Sequence, residues 1–296
     1  LYSSAASDVY MRQPILDAIN RLGKTRIIDV RHEQAGTHAA DGYARGSGKL
    51  GVMIASTGPG TSNTVTGLYE AQYGSSRVLV ITGQAETAFY GKGLAYVHEA
   101  EQQVPMLASV CRRVESPRAP SQLGPALQAV LTDMYTGRGA PGALEIPIDI
   151  QYAENAPVEI SLPTNEQFAP DEKKLDLVID ALQKSQRRIL LVGGGVIAAG
   201  AHAEVQALAE QLQIPVLTTV DGRGALPEDH PLCVGNYYNS AGMYQAIADA
   251  DLTLAIGTKF AVGVDGQFAA QTPPGKLVQI DIDGNMVGRT HHAHIG

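Results

Sequence analysis

A chain of 296 residues, 44% hydrophobic and 18% charged, is long enough for two domains with cores of their own. Its net charge of −8 argues against nucleic acid or an anionic membrane as partner, and no apolar run is long enough to span a bilayer. Cys111 and Cys233 stand apart at no metal-ligand spacing, as reduced, buried thiols in a cytoplasmic protein would.

Leu1 to Asp8 is small, polar and rich in Ser and Ala, and reads as a fraying end. Val9 to Arg21 turns helical, with Ile15, Leu16, Ile19 and Leu22 at helical spacing. Arg26–Val30 is short, β-branched and apolar on both faces, the pattern of a buried parallel strand, and ends at Arg31-His32-Glu33. Gln34–Arg45 is a helix whose Ala and Gly content permits close packing. The strand Leu50–Ala55 ends at Ser56-Thr57-Gly58-Pro59-Gly60, and Asn63–Tyr73 is the helix after it. Arg77–Thr82 is a third strand, ending at Gly83-Gln84. After the glycine-containing loop Ala85–Tyr96, the spacing predicts a helix within His98–Val110 interrupted at Pro105, and another over Pro120–Tyr135. Ala143–Ile148 is a strand that closes the first sheet.

Pro157, Pro163 and Pro170 mark residues 151–170 as a linker. Asp171–Lys184 is an amphipathic helix, Arg188–Val192 a strand running into Gly193-Gly194-Gly195, and Ala201–Leu212 a helix. Ile214–Thr219 is a strand, Tyr244–Ala250 a helix, Leu252–Ile256 a strand, and Leu277–Asp283 the last strand. This alternation predicts an α/β protein of two doubly wound domains with parallel sheets, at 1–155 and 171–296, joined by a linker at 156–170.

Two strand ends each deliver polar residues just before a helix, and in an open parallel sheet ligands bind at that carboxyl edge. The blocks there are Arg31-His32-Glu33-Gln34-Ala35-Gly36, Ala40-Asp41-Gly42-Tyr43-Ala44-Arg45 and Ser56-Thr57-Gly58-Pro59-Gly60-Thr61-Ser62-Asn63. In this order they resemble the pyrimidine-binding domain of thiamine diphosphate enzymes, nearest the acetohydroxyacid (acetolactate) synthase and 2-oxo acid decarboxylase superfamily. The second half resembles the Rossmann-like central domain of that family, through Leu191-Val192-Gly193-Gly194-Gly195, Ile214-Pro215-Val216, Gly222-Arg223-Gly224, Pro227-Glu228-Asp229-His230-Pro231 and Gln279-Ile280-Asp281-Ile282-Asp283.

The resemblance implies a first domain lacking its opening strand–helix unit and an incomplete central domain. The family's third domain holds the diphosphate and Mg2+ through a Gly-Asp-Gly motif and a later Asn, and no such motif follows residue 150. The sequence is therefore expected to be a fragment without tight cofactor binding or turnover of its own. The resemblance makes Glu33 the catalytic carboxylate that hydrogen-bonds the aminopyrimidine of thiamine diphosphate and favours the tautomer able to remove the C2 proton of the thiazolium. Gly58, Pro59 and Gly60 would line the pyrimidine pocket, with Asn63 and Gln84 also facing the cofactor. As plain structure, the glycines and proline make a tight turn and Asn63 a cap-region residue. Val97-His98-Glu99 takes the place of a Phe-Gln-Glu stretch of the synthases. His98 would then face the substrate and suit a different 2-oxo acid or decarboxylase-like proton transfer, or else be an exposed loop histidine.

Gly193-x-Gly195-x-x-Ala198, after a strand and before a helix, passes the local dinucleotide fingerprint, but no acidic residue ends a strand about 20 residues on. In the synthases this turn contacts a structural FAD, which would bring Gly193, Gly194, Gly195 and Lys259 to it; Lys259 stands where the family has an Arg with bidentate phosphate geometry. His291-His292-Ala293-His294 reads as an exposed loop rather than a metal cluster, and no metal site is expected in this chain. The function expected is thiamine diphosphate-dependent carboligation or decarboxylation of 2-oxo acids such as pyruvate. The parent enzyme is expected to be a homodimer or homotetramer with active sites between subunits. A simple 2-oxo acid decarboxylase is the nearest alternative; a non-catalytic remnant or a nucleotide-binding oxidoreductase domain lies further off.

Overall fold

The computed structural model describes residues 2–4, 13–154, 158–164, 169–236, 245, 247–260 and 275–296. The chain forms two compact units, Leu1–Glu166 and Gln167–Gly296. Both are α/β with wholly parallel sheets.

In unit 1 the elements are β1 (Tyr2–Ser4), α1 (Gln13–Leu22), β2 (Ile28–Val30), α2 (Glu33–Ser47), β3 (Gly51–Ala55), α3 (Pro59–Ser62), α4 (Val65–Gly74), β4 (Val78–Gln84), α5 (Gln103–Ala108), β5 (Arg113–Glu115), α6 (Leu123–Tyr135), β6 (Gly142–Pro147) and α7 (Ile148–Tyr152). The sheet order is β2-β1-β3-β4-β6-β5. Successive side chains of β4 go to opposite faces, as strand geometry requires. Val78 and Val80 join Ala40, Met53, Leu68 and Ala71 on one side, and Leu79 joins Val130, Leu131 and Met134 on the other.

Helix α2 lies close because its inner face is small. A Cβ on Gly36 would stand 2.7 Å from the Met53 sulfur, and a Cβ on Gly67 of α4 would stand 2.6 Å from Thr37. Arg45 ties the two helices together, donating to Asp41 at 3.0 Å, Ser76 at 3.1 Å and the Glu70 carbonyl at 3.2 Å. The Ala40–Arg45 block is thus a structural clasp.

Several expectations need correction here. Within the stretch 1–8 expected to fray, Tyr2–Ser4 is a strand inserted between β2 and β3; residues 1 and 5–8 lie outside the described residues. The strand ending at Val30 is a half-buried sheet edge rather than a fully buried strand. Pro105 does not interrupt a helix; it sits in the first turn of α5, where its missing N–H removes no intrahelical bond. The helix after β3 is two helices, α3 and α4, separated at Asn63–Thr64. The strand β6 does not close the sheet, because β5 pairs outside it.

In unit 2 the elements are α8 (Glu172–Lys184), β7 (Arg188–Val192), α9 (Gly194–Ala199), α10 (His202–Leu212), β8 (Val216–Thr218), β9 (Cys233–Asn236), β10 (Leu252–Ile256) and β11 (Lys276–Ile280). The order β11-β10-β7-β8-β9 places β7 at the centre. Its Leu190 and Val192 enter one core cluster, and Ile189 and Leu191 the other. Asp171 caps α8 by accepting from the backbone of Lys173 and Lys174. Of the helix expected at Tyr244–Ala250, residues 244 and 246 lie outside the described residues; Gln245 and 247–249 are helical.

Candidate active site

The carboxyl edge of the first sheet gathers the polar blocks. β2 ends at Val30, and His32 caps α2 by accepting from the Gln34 backbone N–H through Nδ1 at 3.2 Å. Glu33 is therefore the first residue of a helix, where the exposed N–H groups favour an anion. It is only 3% exposed. Its Oε2 accepts from Asn63 Nδ2 at 3.0 Å.

β3 ends opposite and runs into the turn Ser56–Gly60. Gly58 has φ 59° and ψ −112°, and a Cβ there would stand 2.7 Å from the His98 carbonyl. Only glycine fits this backbone. Pro59 begins α3, where its fixed φ suits the first turn. Gly60 is buried, and a Cβ on it would meet Ser56 Oγ at 2.3 Å and stand 3.4 Å from Glu33 Oε1. The turn thus presents bare backbone beside a buried carboxylate. Thr61 anchors it from below, donating to the Ser56 carbonyl at 2.7 Å and touching Thr82 of β4. This arrangement fits a flat nitrogen heterocycle: Glu33 can share a proton with a ring nitrogen, and the glycine backbone lets a planar ring approach.

Glu33, Gly58, Pro59, Gly60 and Asn63 lie together. Gln84, 0% exposed, is placed behind the turn instead. Its oxygen accepts from the Ala85 N–H at 2.8 Å and lies 3.4 Å from Thr57 Oγ1, and its Nε2 donates to Glu145 at 3.0 Å and the Ala100 carbonyl at 3.1 Å. His98 is half-buried with φ 59°, and its carbonyl, 3.3 Å from Thr57 Oγ1, covers Gly58. A cleft of about 560 Å3 is lined by Gly58, Pro59, Ser62, Ala100–Gln103 and Met106; Glu33 is not part of its wall. Gln103 and Glu145 bond directly to this assembly and escaped sequence reasoning. A carboxylate inside the apolar run Ala143–Ile148 was the available signal, since a buried charge in a central strand needs partners.

In unit 2 the glycines after β7 are accounted for by packing. A Cβ on Gly193 would stand 2.4 Å from the Gly257 carbonyl, one on Gly195 2.6 Å from Gly257 Cα, and one on Gly194 3.0 Å from Asp221 Cβ. Lys259 is half-buried two residues beyond Gly257. The histidine-rich segment is not wholly an exposed loop. His291 is buried edge-on against Phe260, with ring centroids 5.0 Å apart, and His294 Nδ1 accepts from the Leu277 N–H at 3.1 Å. Burial lowers the His291 pKa from its ordinary 6.5. Among the described residues no three His, Cys, Asp or Glu side chains are grouped to hold a metal, and no helix is long and apolar enough to cross a membrane.

Residues 11–108 match the family model described as the thiamine pyrophosphate enzyme, N-terminal TPP binding domain, and residues 175–296 match its central domain. The chain is 35% identical to the acetolactate synthase large subunit of Parasynechococcus marenigrum, over 95% of this chain and 47% of that protein. It is 34% identical to the acetolactate synthase of Arthrospira platensis, over 95% and 51%. It is 33% identical to the acetolactate synthase large subunit of Corynebacterium glutamicum, over 95% and 46%. The chain spans about half the length of the curated relatives it matches.

Proposed function

The chain belongs to the thiamine pyrophosphate enzyme family, and from that premise we propose that it supplies the pyrimidine side of a 2-oxo acid carboligase of acetolactate synthase type, with pyruvate as substrate. The observation that carries the reading is Glu33, a buried carboxylate at a helix N-terminus, bonded to Asn63 and set against Gly58-Pro59-Gly60. Bound thiamine diphosphate would supply the carbanion chemistry for breaking and making a bond beside a carbonyl. Glu33 would hold a proton at Oε1 or Oε2 for a pyrimidine nitrogen, Asn63 would orient that carboxylate, and Gly58 and Gly60 would let the ring lie against backbone. Mg2+ and the diphosphate would be held elsewhere, by a partner subunit in a homodimer or homotetramer. The domain bounds in this reading are 1–155 and 171–296, with a linker at 156–170. Reduced Cys111 and Cys233 suit a cytoplasmic setting.

The test is Glu33→Gln in the full-length protein with thiamine diphosphate and Mg2+. Loss of the proton-holding group is expected to lower kcat for pyruvate consumption by roughly 10²–10⁴-fold; an unchanged kcat would sink the reading. A simple 2-oxo acid decarboxylase is the alternative, resting on the histidine at position 98 where the synthases have Gln, and product analysis separates a coupled acid from a free aldehyde. A structural FAD at Gly193–Gly195 and Lys259 would show as the visible absorbance of a flavin in the purified protein. The reading does not need it, because loop packing already explains those glycines.

A further inference from the structure

Gly58 does not hold its left-handed conformation by local bonds alone: its N–H reaches across to Gln103 Oε1 at 2.8 Å. A backbone N–H can only donate, so the oxygen of the Gln103 amide must face it, together with Thr57 Oγ1 at 3.2 Å. The Gln103 NH2 group then points to the Gly83 carbonyl at 2.9 Å and to Glu145 Oε2 at 2.7 Å. Glu145 Oε2 also accepts from Gln84 Nε2 at 3.0 Å, and Oε1 accepts from Ser116 Oγ at 2.7 Å. Gln103 is 1% exposed and Glu145 0%, so no bulk water competes for these bonds. Glu145 fixes which way the Gln103 amide faces, and Gln103 in turn fixes Gly58. Pro59 and Gly60 follow at once in the chain, and Gly60 stands against Glu33.

We propose that Gln103, oriented by Glu145, is a positioning residue that sets the Gly58–Gly60 turn against Glu33 and so tunes affinity for the pyrimidine of thiamine diphosphate. The proposal rests on the function proposed above. Calorimetric titration of the full-length protein with thiamine diphosphate and Mg2+ tests it, alongside hydrogen exchange at Gly58 in the cofactor-free protein. Gln103→Met keeps the size of the side chain and removes both ends of the relay. Cofactor affinity is expected to fall about 5–30-fold. Gly58 exchange should quicken, while kcat at saturating cofactor stays within about threefold of wild type. Glu145→Gln keeps an acceptor for both amides and is expected to bind near the wild-type affinity.

Unchanged cofactor affinity in folded Gln103→Met overturns the proposal, as does a kcat loss without an affinity change. Should Gln103→Met not fold, Thr57→Val decides. Loss of its hydroxyl donor is expected to weaken binding about 2–5-fold, and no change overturns the proposal. A wild type that binds no thiamine diphosphate defeats the functional reading and this proposal with it. That result is distinct from a wild type that binds and is matched by Gln103→Met.

Discussion

The carboxylate of Glu33 owes its place to two residues far apart in the chain: His32 starts the helix beneath it, and Asn63 reaches it from the end of α3. The short blocks around Glu33 and Pro59 were legible because they require particular residue types at fixed places. The relay was not: Glu145 within an apolar run hinted at buried partners, but no local pattern tells a glutamine such as Gln103 that braces a turn from one facing solvent. Gln84 shows the same limit. Its position at the end of β4 was readable, but its orientation toward Glu145 depends on a partner on another strand. Chemistry at the cysteines also follows burial. Burial pushes the Cys111 thiol up to about 12, so the thiolate is scarce at neutral pH. Alkylation of the folded protein is expected to mark Cys233, which is half-buried, and to leave Cys111 unmodified until denaturant is added; mass spectrometry of the two peptides reads this directly.

Among the elements, α2 against β3 is the tightest test of packing. A Cβ at Gly51 would stand 2.2 Å from the Ala40 carbonyl, and backbone cannot swing aside as a side chain can. Gly51→Ala is expected to destabilise unit 1 by about 1–3 kcal/mol, seen as a lower Tm. Gly42, within α2, has nothing within 4 Å of its Cβ position, and Gly42→Ala is expected to stabilise by roughly 0.5–1 kcal/mol. The long apolar strands and amphipathic α8 were readable from periodicity. The strands β1, β5 and β9 were not, because no apolar run marks them as the runs Arg26–Val30 and Ile214–Thr219 mark the equally short β2 and β8. Pairing with a neighbour makes them strands.

At the scale of the whole molecule, each core cluster belongs to one unit, so the two units are expected to respond separately to conditions. His291 gives unit 2 a pH dependence of its own. Its folded pKa is depressed by burial, so below about 6.5 the unfolded chain takes up a proton that the folded unit resists, and stability falls with pH. Thermal scans between neutral and mildly acidic pH should show the unit 2 transition moving to lower temperature on acidification. In His291→Phe this part of the shift should vanish. The α/β class and the two parallel sheets were readable because strand and helix alternate throughout. The strand order was not, because nothing local announces that residues 2–4 enter between two later strands.

That insertion carries a consequence for assembly. Tyr2 pairs with Ile28 on one side and Met53 on the other, and among the described residues β2 has no other strand neighbour than β1. The strand that delivers Glu33 is therefore attached to the rest of the sheet through three residues. Closing these non-local parallel pairs is a slow kind of step, because chain entropy is lost before the contacts form. Trimming residues 2–4 would take from β2 its strand partner and loosen the approach to Glu33, while the central strands and the packing of α2 on β3 and α4 still form. Such a preparation would look folded by its overall secondary structure and yet be mis-set at the carboxylate.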